Sequence, residues 1–376
     1  SNAAELVDSG FVGILLYGVK HSEEPLCIIA CCNALSALAS CSQCLSILSQ
    51  QRCSNEVLQI ITRYSTDAEV TVAALGLLRS ICRSKESIRE MDANHFVNEL
   101  WRVLERFLDE SRVVGLCMSV MNTLARSEKG SMQELLDKFN QDLYCSVLQK
   151  HPDSEDVIAG VMGVLALHIE PLKKQPLEPS VDLVEFAVKS LEKYPDSLGV
   201  CAACFELLEV CLRVLKLRSI IDYADLLFLS ASHSVEQTVS IVRRDSSSAL
   251  LVLPSNPEVI LLENVLSFLK CIVPSVQKCE NSEELTRHIV DALNGYRMLK
   301  EVMVSSVQVL ALMTRYDCVN TMWEMDVLTA LLNYYSKYTE LSFIRSVCTI
   351  IMTFSLEASY ADSLVNNRVP GAILEI

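Results

Sequence analysis

Residues 34–40 read ALSALAS and residues 74–80 read ALGLLRS, so Ala34, Leu35, Leu38 and Ser40 return as Ala74, Leu75, Leu78 and Ser80. Residues 120–125, VMNTLA, return at 161–166 as VMGVLA. Taking the last leucine of each stretch as an anchor gives Leu38, Leu78, Leu124, Leu165, Leu208, Leu269 and Leu312, with Phe354 in the same place. The spacing stays in the forties except for one long step, from Leu208 to Leu269. Apolar residues fall at helical spacing around the anchors, as in Val97, Leu100, Trp101, Leu104 and Leu108. A helical period of this length predicts an all-α chain, a right-handed α-solenoid of about eight stacked repeats.

Composition supports helices and narrows the chemistry. Half of the 376 residues are apolar, 6% are aromatic, and the 11 Gly and 10 Pro are too few for a chain of many short strands. A net charge of −15, with no basic run longer than Lys173-Lys174 or Arg243-Arg244, disfavours nucleic acid as a partner. The 16 cysteines sit mostly inside apolar helical stretches, where a thiol acts as a small hydrophobe. That placement predicts free thiols in a reducing, intracellular (cytoplasmic) setting. Residues 26–51 carry no charge, yet Asn33, Ser36, Ser40, Ser42, Gln43, Ser46, Ser49 and Gln50 interrupt them. A helix pair with a turn near 40–43 is expected there, with no membrane insertion.

Starts of further helices fall near Val57, Val97, Tyr144 and Leu183, and polar turns at 21–25, 65–69, 108–112 and 151–156. Their Ser, Asp and Glu residues suit helix N-caps. The three prolines of 170–179 predict an extended connection. The stretch 232–258 accounts for the long step, either as a loop insertion or as a poorly patterned helix. Ser1-Asn2-Ala3 has the look of a tag scar. Residues 4–376 then form a single array, and the abrupt NNRVPGAILEI at 366–376 gives the expectation of a piece cut from a longer one.

No catalytic constellation emerges. Two CxxC spacings occur, Cys41–Cys44 and Cys201–Cys204, but neither has the second pair or the histidines that a zinc site needs. The cluster worth checking is Cys41–Cys44 with Cys53. The six histidines stand singly, and no phosphate-cradling glycine motif is present. The expectation is a non-enzymatic chain without cofactor or metal. Basic residues do recur in or near the anchor helices: Arg79, Arg83, Arg126, Arg213, Lys270, Arg315 and Arg345. In a solenoid these helices line the inner surface, so the seven are candidate contacts for a protein or peptide partner, acidic segments above all.

The repeat pattern resembles the armadillo-repeat superfamily, with HEAT repeats as relatives, most clearly at 6–40, 57–83, 88–127 and 321–376. The segment RVPGAILEI, with Gly371, is similar to the opening of an armadillo repeat. The resemblance implies a non-catalytic scaffold that holds a partner on its concave surface. It also implies an Asn ladder just before the anchor leucine and a Trp ladder one turn earlier. Those Asn positions hold Ala37, Leu77, Thr123, Val164, Leu207, Phe268, Ala311 and Thr353, and no Trp stands one turn before any of them. Backbone clamping of an extended peptide is therefore not expected. The alternative is a structural or self-association module, marked by an exposed apolar patch near Val12 or Ile373.

Overall fold

The computed structural model describes residues 5–7, 9–138, 140–169, 181–215, 218–245, 256–279, 281–316, 318–335 and 340–366. Every regular element among them is helical. Two compact units divide the chain, Ser1–Lys174 and Gln175–Ile376.

The first unit is a succession of helix triplets. It opens with α1 (Phe11–His21) and α2 (Pro25–Leu38). Three full triplets follow: α3 (Ser42–Gln50), α4 (Cys53–Arg63), α5 (Ala68–Ile81); α6 (Lys85–Ala93), α7 (Phe96–Arg106), α8 (Ser111–Ser127); α9 (Lys129–Asp137), α10 (Gln141–Lys150), α11 (Glu155–Ile169). Each has two shorter helices and then a longer third one. The second unit contains α12 (Val181–Lys193), α13 (Leu198–Val210), α14 (Ala224–Asp245), α15 (Pro257–Ile272), α16 (Ser282–Gly295) and α17 (Lys300–Met313). It ends with the triplet α18 (Val319–Glu324), α19 (Val327–Tyr335), α20 (Leu341–Leu356), followed by α21 (Ala358–Asn366).

The uncharged stretch is a helix pair, α2 and α3, broken at 39–41 as the polar residues predict. No helix among the described residues is long and apolar enough to cross a membrane. Of the 232–258 stretch, residues 232–245 belong to the 22-residue helix α14. A π-helical turn, Cys211–Leu215, and a 3-10 segment, Arg218–Tyr223, precede it and add to the long step. The serines at 246–248, the 170–179 connection and residues 367–376, with Ile373, lie outside the described residues.

Between the first and second helix of three of the triplets the chain turns through a residue of positive φ. Arg52 (φ 50°), His95 (57°) and Asp326 (53°) stand immediately before α4, α7 and α19, and Gly10 (80°) stands before α1. Only Gly10 takes that conformation without steric cost.

The third helices carry the core. In the first unit α2, α5, α8 and α11 pack each on the next, and in the second α13, α15, α17 and α20 do the same. Counting ten residues from the first residue of each helix gives Leu35, Leu78, Met121, Leu165, Leu208, Leu310 and Ile351, all buried. Leu269, two residues later in its helix, is buried as well. This series corrects the sequence anchors: Leu38, Leu124, Leu312 and Phe354 lie two or three residues further on, and Leu312 is only half-buried. A slip of three residues nearly preserves the helix face, which is why periodicity alone tolerated it. Half of the eight positions read for an Asn ladder, Leu77, Val164, Leu207 and Phe268, are core, so that register does not report on the surface alone.

Successive third helices meet large against small. Met118 of α8 lies against Gly160 of α11, where a Cβ would stand 2.6 Å from the Met118 Cβ. Asn122 fills the space beside Gly163 in the same way. Deeper in this unit Trp101, Tyr144 and His168 form an aromatic chain, with ring centroids 6.1 and 5.8 Å apart. His168 has a carbonyl 2.9 Å from each ring nitrogen, those of Val164 and Leu135. Burial outweighs both bonds and holds its pKa below the ordinary 6.5.

Gly160→Ala should destabilise the first unit by about 1–3 kcal/mol, since Met118 belongs to a packed helix and cannot withdraw freely; chemical denaturation checks this. His168 binds protons less readily folded than unfolded, so its contribution to stability is present above 6.5 and is lost as pH falls below it. Thermal melts of His168→Gln between about pH 7.5 and 5.5 should therefore fall less steeply than those of the natural chain.

Candidate functional site

Four of the seven basic residues occupy one structural position. Arg83, Arg126, Arg213 and Arg315 each lie fifteen residues after the first residue of their third helix, at or just past its end. All four are exposed. Side chains and carbonyls close to a helix C-terminus favour a cation there. Arg79, one turn before Arg83, is also exposed, as is Arg345 on α20.

Arg79, Arg83 and Arg126 belong to the first unit, at the C-terminal ends of the packed pair α5 and α8. Arg126 donates through Nε to Asn122 Oδ1 at 2.8 Å. The second unit holds the other four. There Arg213 and Lys270 come together around Glu209. Arg213 Nε donates to Glu209 Oε1 at 2.7 Å, and the Cys271 thiol lies 3.8 Å from the same oxygen. Lys270 Nζ donates to Ser305 Oγ at 3.1 Å, reaching from α15 to α17. Asn264 Nδ2 donates to the Ala202 carbonyl at 3.0 Å, tying α15 back to α13. Arg315 donates to the Pro274 carbonyl at 3.3 Å. Arg345 lies on α20, outside this cluster.

The electrostatics of the cluster are set by partial burial. Burial holds the Lys270 ammonium below its ordinary 10.5, while Cys271 and Glu209 pull it back up. Burial likewise raises the Cys271 thiol, with Glu209 adding to the rise and Arg213 and Lys270 opposing it. Glu263, on the same helix, is raised by burial and by Glu301 of α17. The result is a polar strip of both signs on the layer of third helices, with a partly desolvated lysine hydrogen-bonded to a neutral hydroxyl. The π-helical turn at Cys211–Leu215 sets the backbone of Arg213, and sequence periodicity gave no sign of it.

Elsewhere, a groove of about 230 Å³ between α4 and α7 is lined by Leu58, Ile61, Val103, Arg102 and Arg106. Its arginines are engaged, Arg102 with Glu99 and Arg106 with the Ser65 carbonyl. Among the described residues no group of three or more His, Cys, Asp or Glu is placed to hold a metal, the Cys41, Cys44 and Cys53 group included. Most cysteines are buried. Burial pushes Cys44 up to about 11 and Cys32, Cys53 and Cys82 up to about 12, so these sulfurs are packing groups. Both tryptophans stand outside the third-helix layer, Trp101 on α7 and Trp323 on α18, the latter stacked on Tyr360 at 4.3 Å.

Lys270→Met should keep or raise the melting temperature at neutral pH, because it removes a charge that burial penalises. The gain should fade as pH rises toward 10.5, where the folded lysine has already lost its proton. A loss of more than about 1 kcal/mol would show that the Ser305 bond outweighs the burial of charge.

No family model and no curated protein matches the sequence. Solved structures do. A chain from the structure concerned with a phosphorylation switch controlling the interaction between cadherin and β-catenin is 11% identical. That match covers 93% of this chain and 68% of the other at a TM-score of 0.62. A chain of the SYS-1/POP-1 complex, also 11% identical, matches 88% of this chain and 58% of its own length at 0.48. At such identity the first likeness is one of fold, and it agrees with the triplets of helices: the chain folds as an armadillo-like α-solenoid.

Proposed function

We propose that the chain is a non-catalytic scaffold that binds a protein or peptide partner on its layer of third helices. The observation that carries this reading is the recurrence of an exposed arginine at one repeat position, Arg83, Arg126, Arg213 and Arg315, on a layer whose rigidity comes from packing. Pre-formed surfaces lose little ordering entropy on binding, so separate weak contacts accumulate. Arg79, Arg83, Arg126, Arg213, Lys270, Arg315 and Arg345 are its proposed contacts, and acidic segments its preferred ligands, through charge-assisted bonds to guanidinium and ammonium groups. The solved relative in the cadherin and β-catenin work supports the class of activity by analogy of fold alone. Buried, protonated thiols fit a reducing intracellular compartment.

Arg79 and Arg83 make the cleanest test, since both are exposed and reversing them leaves the core untouched. Affinity capture from lysate, comparing the natural chain with Arg79→Glu/Arg83→Glu, should lose its acidic partners. A purified partner should bind at least about tenfold more weakly to the variant, with binding that weakens as salt rises. Equal capture by both proteins would remove the first unit's arginines from the interface.

A further inference from the structure

What a pair of cysteines can do is set by the backbone that carries it. A disulfide needs its two Cβ atoms about 3.5–4.5 Å apart. Residues three or four apart inside a helix hold theirs at about 5–6 Å, so pairs in a helix interior miss that requirement. Cys27 and Cys31 on α2 are such a pair, and so are Cys201 and Cys204 on α13. The Cys201 thiol donates instead to the Tyr194 carbonyl at 3.3 Å.

Cys41 and Cys44 have the same CxxC spacing on a different backbone. Cys41 is the N-cap of α3, with φ −84° and ψ 127°, and Cys44 is the third residue of that helix. An extended N-cap residue turns its side chain over the first turn, and helical side chains lean back towards the N-terminus, so the two converge. The next repeat shows the convergence directly. There the N-cap of α6 is Ser84 and the third residue is Ser87. Ser84 Oγ accepts from the Ser87 N–H at 3.3 Å, and both hydroxyls lie 2.8 Å from a single oxygen, Ser49 Oγ. Cys41 and Cys44 put sulfur where Ser84 and Ser87 put oxygen. Exposure repeats as well: Cys41 and Ser84 are half-buried, Cys44 and Ser87 buried.

We infer that Cys41 and Cys44 form a redox site, closed to a disulfide by low-molecular-weight disulfides such as oxidised glutathione. Cys41, the accessible sulfur, attacks one sulfur of the oxidant as its thiolate. The S–S bond of the oxidant breaks, and one glutathione leaves and takes up the proton that Cys41 gave to solvent. Cys44 then attacks the Cys41 sulfur of the mixed disulfide and expels the second glutathione, its own proton passing by way of solvent to that leaving thiolate. Two electrons go from the cysteine pair to the oxidant, giving one disulfide in the chain and two glutathiones. Burial pushes Cys44 up to about 11, with Cys41 adding to the rise, so Cys44 is a packing thiol in the reduced chain and reacts second. The bond ties the turn after α2 to the first turn of α3. The inference stands apart from the partner surface proposed above and from self-association, whose expected marker Val12 is buried.

The test is to titrate the whole chain with mixtures of reduced and oxidised glutathione, then block free thiols with iodoacetamide under denaturing conditions. Chymotryptic cleavage after leucine and phenylalanine releases 39–45, whose cysteines are Cys41 and Cys44, and 199–205, whose cysteines are Cys201 and Cys204. Mass spectrometry should find 39–45 unblocked and lighter by two hydrogens. Its midpoint should need at least about tenfold less oxidised glutathione than that of 199–205. Cys44→Ala should stop after the first step, with glutathione left on Cys41, and Cys41→Ala should leave Cys44 reduced and blocked by iodoacetamide. Circular dichroism should show unchanged helicity in both variants. A natural chain whose 39–45 peptide stays fully blocked in excess oxidised glutathione overturns the inference, as does equal oxidation of 199–205. Glutathione that persists on Cys41 of the natural chain, or a link from Cys44 to Cys53, overturns it too.

Discussion

The constraint on which everything else depends is that the long third helix of a repeat must bury two faces at once. A lone amphipathic helix of 13 to 17 residues has one neighbour to satisfy. Here α5, α8, α15 and α17 each lie between two others of their kind, and their burial extends almost round the helix. The solution is asymmetric, with bulk on one face and small residues on the other. Met118 against Gly160 shows how close the approach is: no side chain fits between them. Such contacts couple each repeat to its neighbours only, which makes the array stiff locally and its stability a sum of similar interfaces.

Polar groups reinforce the same period from the outside. The Tyr64 hydroxyl donates to the Glu23 carbonyl, Arg106 to that of Ser65, and His151 lies at hydrogen-bond distance from that of Leu108. Each bond joins the turn before one third helix to the equivalent turn of the preceding repeat. In the second unit the Tyr316 hydroxyl reaches the Val273 and Val276 carbonyls. Turn carbonyls that would otherwise wait on water are thereby satisfied by the next repeat. At the other bend of the triplet, Arg52, His95 and Asp326 accept a left-handed conformation that glycine would take without cost. Packing of the helices on either side evidently outweighs a local cost of about 1–2 kcal/mol at each.

Charge is then confined to what packing leaves over. The end of a third helix, or the residues just past it, is where exposed Arg83, Arg126, Arg213 and Arg315 recur. Their equivalence follows from helix geometry rather than from any local motif, and their surroundings differ. Arg213 is held by Glu209, Arg126 by Asn122 and Arg315 by a carbonyl. The same scaffold position thus carries cations with different surroundings along the chain.

The sequence by itself determined that the chain is all helix, that it repeats in the low forties, and where the helices and turns lie. Val57, Val97, Tyr144 and Leu183 all fall within second or equivalent helices, and the turn at 65–69 contains the Asp67 side chain that caps α5. Those features are local: periodicity, capping and turn chemistry are written within a dozen residues. Two things were decided only by the tertiary structure. The exact phase of the anchors was one, because a three-residue slip leaves a helix face almost unchanged while packing does not. The gathering of Arg213, Lys270, Glu209 and Cys271 was another, since it depends on a π-helical turn and on contacts across some sixty residues of chain.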